Sequence, residues 1–166
     1  MNPTIKITVK NFGTMTAELY PEKAPLAVEN FLSLAKKGFY EGLIFHRIIP
    51  GFMIQGGGYT ERFSDTDAKS IKGEFASNGF RQNDLKHTRG VLSMARTSVP
   101  DSASSQFFVM HADAPHLDGQ YAAFGKLTDG FDVLDKIAAV PTGRMGYFSD
   151  VPRVPVVIEK VEVINE

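Results

Sequence analysis

The sequence predicts a mainly β protein, an antiparallel sheet or barrel of about eight strands with two accessory helices. Three observations carry this expectation. Apolar and polar residues alternate in several short runs, the period of a half-buried strand. Only two stretches, far apart in the chain, repeat apolar residues at helical spacing. Strands and helices do not alternate regularly, which argues against a parallel α/β sheet.

Ile5, Ile7 and Val9 alternate with Lys6, Thr8 and Lys10, and Met15, Ala17 and Leu19 alternate with Thr14, Thr16 and Glu18. Asn11-Phe12-Gly13 between them is a turn signal, so the chain opens with a hairpin. A helix starts at Ala24-Pro25, because proline is tolerated in the first turn. Val28, Phe31, Leu32 and Ala35 form its apolar face, Lys36 and Lys37 suit its negative end, and Gly38 ends it. Residues 44–49 and 52–55 read as short strands around Pro50-Gly51. Residues 59–88 form a long, weakly patterned loop, of a kind that tends to be functional. Strands follow at 91–95 and 106–110, joined by a small-residue loop, and at 121–127. Phe131, Leu134, Ile137 and Ala138 give a second helix starting near Asp129. Residues 141–155 read as a loop, and 156–163 as the last strand. No repeat, linker or low-complexity tract divides the chain, so one domain is expected over 1–166.

Composition narrows the function classes. Net charge is −1, from 18 basic and 19 acidic residues, without the basic excess of a dedicated nucleic-acid binder. No cysteine is present, which removes disulfides, thiol nucleophiles and thiolate zinc sites together. Residues 1–10 alternate instead of forming the apolar run of a signal peptide. No apolar run reaches the ~18 residues of a membrane span. The expectation is a cytoplasmic protein, monomeric by default, with no nucleic-acid or membrane partner.

Most chemical motifs fail on inspection. Gly56-Gly57-Gly58 lacks the lysine and following helix of a phosphate loop, and the glycines read instead as close backbone approach at a strand end. His46, His87, His111 and His116 form no metal-ligand pair of standard spacing, although Asp113 and Asp118 lie near the last two. His46 reads as a structural, hydrogen-bonded histidine. Ser102, Ser104 and Ser105 sit in no nucleophile elbow. Arg47 is harder to dismiss, since it lies inside the apolar run from Phe45 to Ile49 and cannot shed its charge. It forms a salt bridge to a distant carboxylate, or it is a fixed donor aimed at a substrate. Directly opposed residues of a hairpin share a face. A two-residue Pro50-Gly51 turn therefore sets Arg47 opposite Ile54, while an odd connection places it on the face of Met53 and Gln55. Sequence alone leaves both open.

Residues 45–57, Phe-His-Arg-Ile-Ile-Pro-Gly-Phe-Met-Ile-Gln-Gly-Gly, resemble the signature of the cyclophilins, peptidyl-prolyl cis-trans isomerases. The likeness continues through Val91-Leu92-Ser93-Met94-Ala95, Ser105-Gln106-Phe107-Phe108, Leu117-Asp118-Gly119 and Phe124-Gly125, and Asn30-Phe31 of the first helix also fits. Met94-Ala95-Arg96-Thr97 is most similar to bacterial cytoplasmic members. The resemblance implies a closed eight-stranded antiparallel barrel capped by two α-helices. It also implies the odd connection, since the family's arginine and glutamine both face the site.

By the same resemblance Arg47 is the essential arginine, and Gln55 helps to hold it and the substrate backbone. Phe52, Met53, Phe108 and Leu117 are walls of a proline pocket, and Gln106 lies at a matching position. Ala95 and Arg96 fall where main-chain groups grip the residue before proline. His116 and Tyr121 complete the substrate-binding set. They stand where the best-known eukaryotic members carry tryptophan and histidine, so cyclosporin binding is implied only as weak. The partners implied are proline-containing peptides and unfolded chains, with no cofactor and no metal. Two other classes compete. A proline-peptide binding module would use the same groove without useful turnover, and a hydrolase or nuclease through His46 and Arg47 lacks an acidic partner.

Overall fold

The alternating residues at the start of the chain form a hairpin of β1 (Thr4–Val9) and β2 (Gly13–Leu19), in a computed structural model that describes residues 2–165. Ile5, Ile7, Met15, Ala17 and Leu19 turn to the core, with Ile7 paired to Met15 and Ile5 to Ala17. Asn11 (φ +71°) and Gly13 (φ +124°) make the turn. Helix α1 (Pro25–Lys36) carries Ala24 at its N-cap, which supplies no side-chain cap. The long loop does so instead, where Glu74 accepts hydrogen bonds from the Leu26 and Ala27 N–H groups at 3.0 and 2.8 Å. A carboxylate there also suits the positive end of the helix.

Six further strands complete the main sheet: β3 (Arg47–Ile49), β4 (Met53–Gly56), β5 (Val91–Met94), β6 (Phe107–Met110), β7 (Ala123–Asp129) and β10 (Ile158–Asn165). Helix α2 (Phe131–Ala138) follows β7. The strands lie in the order β10-β1-β2-β7-β5-β6-β4-β3, and every neighbouring pair is antiparallel. The expected strand number and two helices are present. Closure is where the structure differs, because the sheet is curled and open and its edges β10 and β3 do not pair as strands. Loop backbone beside them makes an isolated bridge between Ile44 and Val157, with Ile158 N–H donating to Leu43 O at 2.7 Å. Residues 44–46 accordingly lie outside β3, and Tyr121 lies before β7 rather than in it.

A second correction concerns residues 141–155. They form a hairpin, β8 (Thr142–Met145) and β9 (Phe148–Pro152), not a loop, and β9 packs beside β3.

Two apolar clusters occupy opposite faces of the sheet. Phe31, Tyr40, Phe107, Phe124 and the apolar faces of both helices form the large one. Met53, Val91, Phe108, Met110, Leu117 and Ala123 form the small one. In β6, Phe107 and Val109 face the large cluster while Phe108 and Met110 face the small one. Burial on both sides explains why this strand reads as an unbroken apolar run.

Candidate active site

Three residues, Pro50, Gly51 and Phe52, connect β3 to β4, and the register pairs Arg47 with Gln55 and Ile49 with Met53. The odd connection thus places Arg47, Met53 and Gln55 on one face. Gly51 sits at φ +78°, and Phe52 N–H donates to Ile49 O at 3.0 Å. The turn is pinned from outside, since Gly51 N–H donates to His111 Nδ1 at 2.8 Å. That contact makes Nδ1 the acceptor, so Nε2 carries the proton it shares with Asp135 Oδ1 at 3.0 Å. Arg89 grips the same Asp135 carboxylate with two bonds, of 2.9 and 3.0 Å, and holds it below the usual carboxylate range.

The pairing continues across the face. Gln55 lies opposite Phe108, and Phe108 opposite Ser93, so a single row runs Arg47–Gln55–Phe108–Ser93 over four strands. Arg47 Nη1 donates to Gln55 Oε1 at 3.3 Å, and Gln55 Nε2 donates to Gln106 Oε1 at 3.0 Å. Among the described residues Arg47 forms no ion pair, which removes the salt-bridge reading. Gly58 backs this network, because a Cβ there would run into the Gln106 side chain.

Arg47, Phe52, Met53, Gln55, Ala95, Arg96, Phe108, Leu117 and Tyr121 line a cavity of about 120 Å³. Nine of the eleven residues picked from the sequence are therefore brought together. Gln106 lines an adjoining cavity of about 200 Å³, which shares Gln55, Ala95 and Arg96 with the first. His116 is exposed at the rim, its ring 5.7 Å from that of Phe52. His111 and His116 serve different neighbours, and among the described residues no group of three or more His, Asp or Glu is placed to hold a metal.

Sequence reasoning missed the support behind the wall. His87 is 1% exposed and stacks on Phe108 with ring centroids 6.0 Å apart. Its Nδ1–H donates to Asp118 Oδ1 at 3.1 Å, since a carboxylate only accepts, so Nε2 accepts a hydrogen bond from the Ser93 hydroxyl at 2.9 Å. Burial lowers the His87 pKa, against the pull of Asp118, and keeps the ring neutral. Arg96 was expected to contribute backbone, yet its side chain is also fixed at the wall. No spacing rule marks either residue, because their partners come from separate strands and loops.

His46 is buried, with Tyr59 edge-on at 4.7 Å and Phe148 of β9 at 6.3 Å. The expected hydrogen bond is absent at Nδ1, which is buried without a partner. Burial, then the Arg47 charge, lowers its pKa to about 4. His46 faces away from the cavity described above and belongs to the packing between β9 and the edge of the sheet.

Residues 4–163 match the family model described as cyclophilin-type peptidyl-prolyl cis-trans isomerase. A peptidyl-prolyl cis-trans isomerase of Acinetobacter baylyi is 50% identical over 159 residues, covering 92% of this chain and 81% of the relative. Isomerase B of Escherichia coli is 45% identical over 162 residues, covering 92% of this chain and 95% of its own. A crystal structure of a Cryptosporidium parvum cyclophilin-type isomerase matches at TM-score 0.83 and 30% identity, over 100% of this chain and 99% of the other. The same protein in the presence of the dipeptide Ala-Pro matches at TM-score 0.81 and 32% identity, over 98% of this chain and 99% of the other.

Proposed function

The chain belongs to the cyclophilin-type peptidyl-prolyl cis-trans isomerases, and we propose that it turns X–Pro bonds with Arg47 as the acting donor and Phe52, Met53, Phe108 and Leu117 as the walls around the proline ring. The row from Arg47 through Gln55 to Phe108 carries this reading, since it sets a cationic donor, an amide and an apolar wall on one face.

The barrier of an X–Pro bond, about 18–20 kcal/mol, comes from amide resonance. At the top of the barrier the amide is twisted, and the proline nitrogen has a free lone pair. No covalent bond forms or breaks. A rate gain on the order of 10⁵ corresponds to about 7 kcal/mol of differential stabilisation. The apolar wall anchors the ring while the preceding carbonyl rotates. Arg47 donates to the proline nitrogen only once the lone pair is free, so the contact favours the twisted state over either planar one. Its donors are preorganised, because Gln55 holds the guanidinium without neutralising it. Gln55, Gln106 and the backbone of Ala95 and Arg96 meet the peptide around the proline. His116 and Tyr121 contact its flanks.

We read residues 1–166 as one isomerase domain, with the Ile44–Val157 bridge supporting a barrel closed by loop backbone. The substrates are proline-containing peptides and unfolded chains, whose folding the enzyme assists. A monomer in the cytoplasm, with weak cyclosporin binding, completes the proposal.

A protease-coupled assay on a proline-containing tetrapeptide tests it. The wild type accelerates isomerisation, and Arg47→Ala retains about one-hundredth of the activity or less while keeping its circular dichroism. Near-wild-type turnover by folded Arg47→Ala would remove Arg47 from the role.

A further inference from the structure

Arg96 lines the cavity, but its guanidinium is committed elsewhere. Its Cζ lies 4.7 Å from the ring centroid of Phe75 and 4.7 Å from that of Tyr121. Nε and Nη2 both donate to Gln120 O, at 3.1 and 2.7 Å, and Nη1 donates to Thr97 O at 2.9 Å. One aromatic ring is immobile, since Phe75 is 2% exposed and belongs to the large core. The other is a cavity wall. Tyr121 lies just before β7, and its side chain is not part of a strand row of the sheet. Among the described residues its hydroxyl makes no hydrogen bond. Two contacts fix its ring, the guanidinium on one side and Phe108 edge-on at 5.7 Å and 85°. Gln120 belongs to the same short segment, in which Gln120 N–H donates to Leu117 O at 3.0 Å.

We infer that Arg96 is a positioning residue for the isomerase site, which ties the 117–121 segment to Phe75 of the core and holds Tyr121 and Leu117 at the width of a proline ring. The inference rests on the cavity being the proline site. A planar cation with two faces and a fork of donors suits this place, because the faces meet two rings while the fork meets two carbonyls. Three of the five N–H bonds are already used, so the group acts on the wall and not as a second donor to the twisting amide. A wall meets ground and twisted states alike. Its loss therefore weakens binding and leaves the chemical step nearly intact.

The test compares Arg96→Lys and Arg96→Gln with wild type in steady-state kinetics on the prolyl tetrapeptide. KM rises about tenfold in Arg96→Gln, the size expected from losing the two ring contacts, and less in Arg96→Lys, which keeps a cation but not the planar fork. In both, kcat changes less than about twofold. In a double-mutant cycle, Arg96→Gln adds little to the KM of Tyr121→Ala, because both act through one ring. Unchanged KM with only a lowered Tm would make Arg96 a structural staple and overturn the inference. A fall in kcat at constant KM would overturn it too, as would full multiplicativity with Tyr121→Ala. Nuclear magnetic resonance of the Tyr121 ring protons, in peptide-free wild type and Arg96→Lys, reads the lock without turnover. Shifted ring signals are expected, and coincident spectra would refute the lock. An inactive wild type with shifted Tyr121 signals would remove the isomerase reading and keep the lock.

Discussion

Arg47 is held by one neutral acceptor, and that is the feature of the site most open to test at the level of a single residue. A carboxylate partner would neutralise the guanidinium and compete with substrate for its donors. The Gln55 amide orients it instead, and Gln106 orients Gln55. Gln55→Ala should therefore lower kcat/KM by about tenfold, the order of one lost charge-assisted hydrogen bond and less than the loss in Arg47→Ala. The prolyl-peptide assay on both variants checks the ranking, and equal losses would contradict it. Arg47 was legible as an anomaly, a fixed charge inside an apolar run. Its partner Gln55 was legible only through the family resemblance, because local rules leave open whether the connection from Ile49 to Met53 is odd or even. His87 was illegible for a different reason, since its stacking on Phe108 joins a loop to a strand with no local pattern.

At the level of elements, α1 divides what sequence reveals from what it conceals. Its apolar face, its proline start and its end at Gly38 all follow from local rules, and Gly38 does adopt φ +72°. Its N-terminal cap does not, because Glu74 comes from a loop tens of residues downstream. Glu74→Ala should cost about 1–3 kcal/mol of stability, read as a lower midpoint in urea unfolding at unchanged slope. An unmoved midpoint would mean that water caps the helix equally well. The β8–β9 hairpin was concealed altogether. Gly143, Arg144 and Gly146 break any alternation, and the strands are stabilised by pairing with each other and packing beside β3. That pairing and packing, not propensity, make them strands.

For the whole molecule, the two faces of the curled sheet divide the labour, with the large core on one side and the cavity lined by Arg47 and Phe108 on the other. The seam where β9 meets the sheet edge contains His46, whose pKa falls from 6.5 to about 4. A base with a depressed folded pKa binds its proton more readily once unfolded. Its contribution is thus fully present above pH ~6.5 and lost as pH falls toward ~4, on the order of 3 kcal/mol across that window. Urea midpoints measured from pH 7 to 4 should decline, and His46→Phe should flatten the decline. A slope unchanged by the substitution would place the acid sensitivity elsewhere. Seen as a matter of inheritance, the three-residue link between β3 and β4 is a parity rule written into the gene. One in-frame codon gained or lost there leaves two outcomes, a bulge or the transfer of Arg47 to the opposite face from Met53 and Gln55. Two codons restore the original face. Length change in this segment is thus constrained to even steps, while the exposed tip of the β8–β9 hairpin, where Tyr147 stands fully in solvent, is under no such count.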